Sequence, residues 1–158
     1  MYYQEYINRA KENFTDAREA VIGDYCPTVI YEEFFKWKWL ATKLKIFSFV
    51  SYAESIDEQL ITHYSSSCLK YALKNRRGLP RGWQNGIVCY SILASEKIGL
   101  DAVKYASSRP PKHYGAFEIP VIIDLTNNEL LFYRDKIIWG SLYDSFLKNF
   151  LISNFSIR

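Results

Sequence analysis

Residues 117–125 read Phe-Glu-Ile-Pro-Val-Ile-Ile-Asp-Leu, and this stretch decides the fold that the sequence predicts. Its centre, from Val121 to Ile123, is apolar on both faces of an extended chain, which is typical of a central strand in a sheet covered on both sides. Pro120 has no backbone N–H, so we expect strand pairing to be incomplete near that point. The stretch therefore predicts a buried central strand.

A tight turn follows this strand at Thr126-Asn127-Asn128-Glu129, because asparagine tolerates a positive φ. Residues 130–134 are then expected to return as an antiparallel strand. Ser55 and Glu58 fit a capping box at the start of a helix. The other elements predicted after residue 43 are strands over 46–52 and 87–94 and helices over 55–75, 100–107 and 140–153.

The first 42 residues predict two helices, over 3–21 and 29–42, that form an antiparallel hairpin. Aromatic residues cover most of the circumference of the second helix. That helix is therefore expected to be buried on several sides or to lie at an interface, such as that of a homodimer.

Strands separated by helices favour parallel pairing with right-handed crossovers. The predicted class is accordingly α/β, with α+β as the alternative. The expected architecture is a small mixed sheet of about four strands, mostly parallel, with a C-terminal hairpin and flanking helices. We interpret residues 1–158 as one domain, in which the helical hairpin of 1–42 packs on an α/β core of 43–158.

Composition excludes several protein classes. The chain has 158 residues, of which 49% are hydrophobic and 17% aromatic, so it can form a substantial core. The three cysteines show no paired spacing, which argues against a disulfide scaffold or a cysteine-rich zinc site. No signal peptide and no membrane span are expected, and no cofactor motif is present. A cytoplasmic protein with reduced thiols is the resulting expectation.

Charge is distributed unevenly along the chain. Residues 1–33 hold seven acids and three bases, a net charge of −4, whereas residues 34–158 hold ten acids and seventeen bases, a net of +7. Parallel strands send the loops that precede them to one edge of the sheet and the loops that follow them to the other. Basic and aromatic residues are therefore expected at one edge, and acidic residues at the opposite edge.

The basic edge is the predicted site for a partner or a nucleic acid. Its candidate residues are Arg76, Arg77, Arg81, Trp83, Arg109, Lys112, His113 and Tyr114. His113 is also the candidate catalytic residue of a metal-independent ribonuclease. At the acidic edge, Glu54, Glu96 and Asp124 are the only candidates for a metal site, although strand-end carboxylates usually cap helices or form turns.

Two functions follow from this interpretation. The first is a non-enzymatic protein-interaction module, such as an adaptor, inhibitor or immunity-type protein, that uses the basic and aromatic loops or the aromatic helix. The alternative is a nucleic-acid-binding protein or metal-independent ribonuclease that uses the same loops. A protein partner is thus expected, including a possible second copy bound through 29–42, with nucleic acid as the other ligand class.

Overall fold

The structure is a computed structural model that describes residues 1–39, 42–76, 85–136 and 142–157. Four α-helices and a short 3-10 helix at Trp37–Trp39 lie in these ranges. The α-helices are α1 (Tyr3–Glu12), α2 (Glu58–Asn75), α3 (Leu100–Ala106) and α4 (Asp144–Phe155). The strands are β1 (Ala17–Glu19), β2 (Thr28–Lys36), β3 (Thr42–Tyr52), β4 (Asn85–Ser95), β5 (Lys112–His113), β6 (Ala116–Asp124) and β7 (Glu129–Leu131).

The strands form one mixed seven-stranded sheet in the order β1-β2-β3-β4-β6-β5, with β7 also paired to β6. Strands β3, β4 and β6 are parallel neighbours, and a helix connects each to the next. The predicted mixed α/β class is therefore confirmed. The expectation of a mostly parallel sheet is wrong, because two of the six strand pairings among the described residues are parallel and the other four are antiparallel. The predicted number of about four strands is too small, because β1, β2 and β5 were not recognised as strands.

Strand β6 is the buried central strand that the sequence predicts. All of its residues, Ala116–Asp124, are buried. On one side it pairs continuously with β4, including the position of Pro120 opposite Ser91. On the other side β5 pairs with residues 116–117 and β7 with residues 122–124, so Pro120 falls in the interval between these two partners. The expected incomplete pairing near Pro120 is confirmed.

The predicted helical hairpin over 1–42 is wrong. Helix α1 ends at Glu12, and residues 28–36 form strand β2 rather than a helix over 29–42. The physical reason lies in the side chains of β2, since β-branched and aromatic residues pack well on a pleated surface. Pairing with β3 along the whole of Thr28–Lys36 gives this segment a partner that local helical periodicity did not reveal.

The start of α2 also differs in detail from the prediction. Asp57 is the N-cap residue, and its Oδ1 accepts a hydrogen bond from the Leu60 N–H at 2.7 Å. The capping box of Ser55 and Glu58 does not form, because the helix begins at Glu58 itself. A shift of the helix start by two residues thus changes which side chain satisfies the free N–H groups.

Two apolar layers cover the two faces of the sheet. Helices α1 and α4 pack on one face, with Tyr6, Leu147 and Phe155 among the buried residues. Helices α2 and α3 pack on the other face, through residues such as Tyr64, Cys68 and Ala102. Within the described residues, no helix has both the length and the apolar character that crossing a bilayer requires.

Candidate functional site

The parallel strands bring several basic segments to one edge of the sheet. Arg76 ends the helix that leads to β4, and the segment 109–115 leads to the start of β6. Lys43 and Lys45 lie at the start of β3, beside the start of β4. We call this edge the basic rim, and define it by Lys43, Lys45, Arg76, Arg109, Lys112, His113 and Tyr114. The predicted site residues Arg77, Arg81 and Trp83 lie outside the described residues.

The strand register shows how the rim is ordered across the sheet. Lys45 of β3 lies opposite Ile87 of β4. Ile87 in turn lies opposite Ala116 of β6, and Ala116 is paired on its other side with His113 of β5. Neighbouring strands are about 4.8 Å apart, so three spacings place the backbones of Lys45 and His113 about 14 Å from each other. The two ends of the rim therefore belong to one sheet edge, with the buried apolar residues Ile87 and Ala116 between them.

The β5–β6 hairpin presents the aromatic part of the rim. His113 pairs with Ala116, so Tyr114 and Gly115 form a two-residue turn. Gly115 has a φ of +63°, a conformation that is unfavourable for residues with a side chain. The tight turn leaves the Tyr114 side chain 69% exposed at its tip, next to the exposed Lys112. The hairpin thus carries an exposed ring two residues after an exposed cation.

Cations also approach one another at the β3 end of the rim. Lys45 is buried, and this burial lowers the pKa of its ammonium group. The nearby Glu33 carboxylate opposes the decrease in the pKa of Lys45, whereas Lys43 and Arg76 add to it. Lys43 donates a hydrogen bond to Glu33 Oε2 at 2.9 Å. Three cations and one carboxylate therefore meet at this end of the rim.

A buried polar network lies directly behind the rim. The Glu118 side chain is 6% exposed, and its Oε2 lies 2.6 Å from Nε2 of His113. Glu118 Oε1 accepts a hydrogen bond from Ser65 Oγ of α2 at 2.8 Å. Ser65 Oγ in turn accepts one from Ser91 Oγ of β4, also at 2.8 Å. The network therefore joins β5, β6, α2 and β4 and fixes the orientation of the His113 ring.

The cysteines near this network do not supply a nucleophile. Burial raises the pKa of the Cys68 thiol, and Glu118 raises it further. Cys89, which lies opposite Glu118 in the sheet, also has a raised pKa because of burial and of its neighbours Cys68 and Glu118. Since the thiolate is the reactive form, both side chains behave as small apolar core residues. All three cysteines of the chain are free thiols, and Cys26 is exposed.

The second histidine belongs to a different surface. His63 Nδ1 lies 2.8 Å from the Tyr25 hydroxyl oxygen, and both groups are exposed. His63 precedes Ser65 by only two residues, and the Ser65 hydroxyl reaches Glu118 behind the rim. Ser65 is buried, however, whereas the His63 side chain is exposed on another face of α2 and contacts Tyr25. His63 and His113 are therefore not arranged as a joint acid–base pair.

The acidic residues lie at the opposite edge, as the parallel strands predict. Asp124 closes the turn after β6, since its Oδ1 accepts hydrogen bonds from the backbone N–H groups of Thr126 and Asn127, both at 2.9 Å. Glu96 accepts a hydrogen bond from the Tyr52 hydroxyl at 2.8 Å. Together with Glu54, these carboxylates were the candidate metal ligands. No group of three or more possible metal ligands occurs in the part of the chain that the structure describes.

The sequence prediction missed the central member of the site. Glu118 is a carboxylate in the interior of a strand whose other interior residues are apolar, and that contrast is the signal that could have identified it. Lys43 and Lys45 were missed for another reason. The sequence interpretation began the first strand only after Lys45, which left both lysines in a connection rather than at the edge of the sheet.

Comparison with protein-family models, with curated proteins and with solved structures gives no match to this chain.

Proposed function

We propose that the protein binds single-stranded nucleic acid along the basic rim. The observation that carries the proposal is the parallel arrangement of β3, β4 and β6, which brings basic residues of three segments to one edge of the sheet, together with an exposed tyrosine. Exposed lysine and arginine side chains neutralise phosphates, and an aromatic ring stacks on a base without regard to its identity.

The distribution of charge supports the same ligand class. The acidic side chains Glu54, Glu96 and Asp124 follow the parallel strands at their carboxyl ends, away from the rim. A polyanion that approaches the sheet is therefore favoured at the rim, where Glu33 is already paired with Lys43, over the opposite edge. Such an arrangement orients a charged chain before any short-range contact forms.

The proposal covers binding rather than cleavage. Cleavage without a metal requires one group to accept a proton and another to donate one. His113 is held by Glu118 and is suited to one of these roles, but His63 belongs to another surface. Strand scission that depends on His113 would extend the proposed function to a ribonuclease.

A protein-interaction role is the second candidate, and a separate feature favours it. Phe35 and Trp37 are 49% and 81% exposed, and their rings are 5.4 Å apart. Exposed aromatic pairs of this kind are typical of protein interfaces. An acidic protein face would be the alternative ligand of the basic rim itself.

The binding test compares the wild-type chain with the double variant Arg109→Ala, Lys112→Ala. The probe is a fluorescently labelled oligouridine of about 12 nucleotides, a length within the range that single-strand-binding modules contact. We expect the wild-type affinity to fall steeply with salt. We expect the double variant to bind more weakly, with a salt slope reduced by roughly 0.7 for each lost phosphate contact. Fluorescence anisotropy at several salt concentrations measures both quantities.

The matched control removes one arginine and one lysine elsewhere, in the variant Arg18→Ala, Lys97→Ala. Both side chains are exposed and lie away from the rim, in β1 and after β4. Equal losses in the two variants would show that only net charge matters and would refute a site at the rim. Tyr114→Ala distinguishes the ligand classes, since it should weaken binding of oligouridine but not of poly-glutamate.

A further inference from the structure

We propose that a second copy of this chain binds along the outer edge of β2, so that two sheets join through antiparallel pairing of their β2 strands. This inference is independent of the proposed nucleic-acid function. The sequence suggested a homodimer through a helix over 29–42. Because residues 28–36 form strand β2 instead, the dimer surface that we propose is the outer edge of that strand.

The outer edge of β2 is covered only in part. Strand β1 pairs with residues 28–30, and the Tyr31 N–H donates a last hydrogen bond to the carbonyl of Asp16 at 3.4 Å. The pairing of β2 with β3 continues to Lys36 without a bulge. Because backbone groups alternate in direction along a strand, those of Glu33 and Phe35 point to the same outer side as those of Tyr31. No described residue hydrogen-bonds to the backbone of Glu33 or Phe35 on that side.

The exposed rings lie along this uncovered part of the edge. Phe35 is in β2, and Trp37 follows immediately with its ring in a T-shaped contact with that of Phe35. The neighbouring Lys36 does not shield the edge, because its ammonium group lies over the rings of Trp39 and Phe146. An unpaired strand edge with exposed aromatic side chains is a template for a further strand.

The order of charges identifies the partner as a second copy. The segment begins with Glu32 and Glu33, has Phe34 and Phe35 in the middle, and ends with basic residues at 36 and 38. When two copies run antiparallel, the acidic end of each lies beside the basic end of the other. Burial and the nearby Asp16 raise the pKa of Glu32, so a lysine from a second copy would relieve an existing repulsion.

Only a few registers satisfy the backbone. A two-fold axis at Glu33 would place two like charges opposite each other, which is destabilising. An axis at Phe34 would centre the interface on a ring that packs inward against Phe146 and Phe150. An axis at Phe35 pairs two exposed rings and brings Glu32 of each copy to the end of the other copy's β2, beside the short 3-10 helix that carries Lys38. We infer the register centred on Phe35.

The test begins with the mass of the full chain in solution. Sedimentation equilibrium is expected to show a dimer of the 18.6 kDa chain. Phe35→Lys should raise the dimer dissociation constant by roughly tenfold or more, since it places two like charges opposite each other. Tyr2→Lys is the control, because Tyr2 is 82% exposed and lies in no predicted contact. Circular dichroism verifies that both variants remain folded.

Charge reversal tests the register without removing an aromatic ring. Glu32→Lys alone and Lys38→Glu alone should each weaken the dimer, and the double variant should restore it. A cross-link adds an independent readout: Phe35→Cys, combined with Cys26→Ser, should form a symmetric disulfide, because opposed residues in hydrogen-bonded pairs have Cα atoms about 5.5 Å apart. A monomeric wild-type chain, or a dimer insensitive to these changes, would overturn the inference.

Discussion

At the level of single residues, Glu118 combines burial with charge. Its carboxylate has a hydroxyl donor on one oxygen and the His113 ring on the other. A buried carboxylate without such partners would be costly, and a histidine that lost this carboxylate would be free to rotate. Glu118 therefore links the stability of the core to the shape of the basic rim.

Glu118→Ala should lower the free energy of unfolding by about 2–4 kcal/mol, because it leaves the Ser65 hydroxyl and the His113 ring without their acceptor. Urea denaturation followed by circular dichroism measures the change. Glu129→Ala is the matched control, since Glu129 is exposed at the start of β7, and it should alter stability by less than about 0.5 kcal/mol. If the two variants unfold at the same urea concentration, the network does not stabilise the fold.

At the level of secondary-structure elements, local signals compete with tertiary pairing. The 46–52, 87–94 and 117–125 predictions correspond to β3, β4 and β6, because these strands carry apolar residues on both faces and lie between turn signals. The predicted helix over 29–42 is wrong. Aromatic residues three and four positions apart between Tyr31 and Trp39 are also compatible with a strand that packs on both faces. At the start of α2 the local pattern favours Ser55 as the cap, whereas the folded helix is capped by Asp57.

Asp57→Ala should destabilise the protein by about 1 kcal/mol, because the Leu60 N–H loses the carboxylate that caps α2. Ser55→Ala should have little effect, since the helix begins after Ser55 and its N-cap is Asp57. Thermal unfolding of the two variants compares the observed cap with the one that the sequence suggested. A larger loss for Ser55→Ala would contradict the cap at Asp57.

At the level of the whole molecule, both faces of the sheet bury tyrosine side chains. Burial raises the pKa of Tyr6 and Tyr90 on one face and of Tyr64 on the other. It also raises the pKa of the partly buried Tyr3 to about 12. In the unfolded chain these hydroxyls titrate near pH 10. The stability that they contribute is therefore fully present below pH 10 and is lost as the pH rises toward their folded values.

The free energy of unfolding should accordingly decrease steeply between about pH 10 and pH 12. Urea titrations across that range measure the decrease. In Tyr90→Phe the free energy of unfolding should decrease less steeply with pH, because this variant lacks one hydroxyl that must stay neutral in the fold. Tyr2→Phe provides the same substitution at an exposed position for comparison. A stability independent of pH in this range would contradict the burial of these hydroxyls.

The sequence by itself determined the parallel core and the separation of charge between its two edges. Apolar runs separated by helices favour parallel strands, and parallel strands send Arg76 and the basic segment 109–114 to one edge by geometry alone. Only the tertiary structure decided the pairing of β2 with β3, the contact of His113 with Glu118 and the position of Lys43 and Lys45 in the rim. These features depend on which distant segments become neighbours, and the free energy of such pairing is not contained in any local pattern.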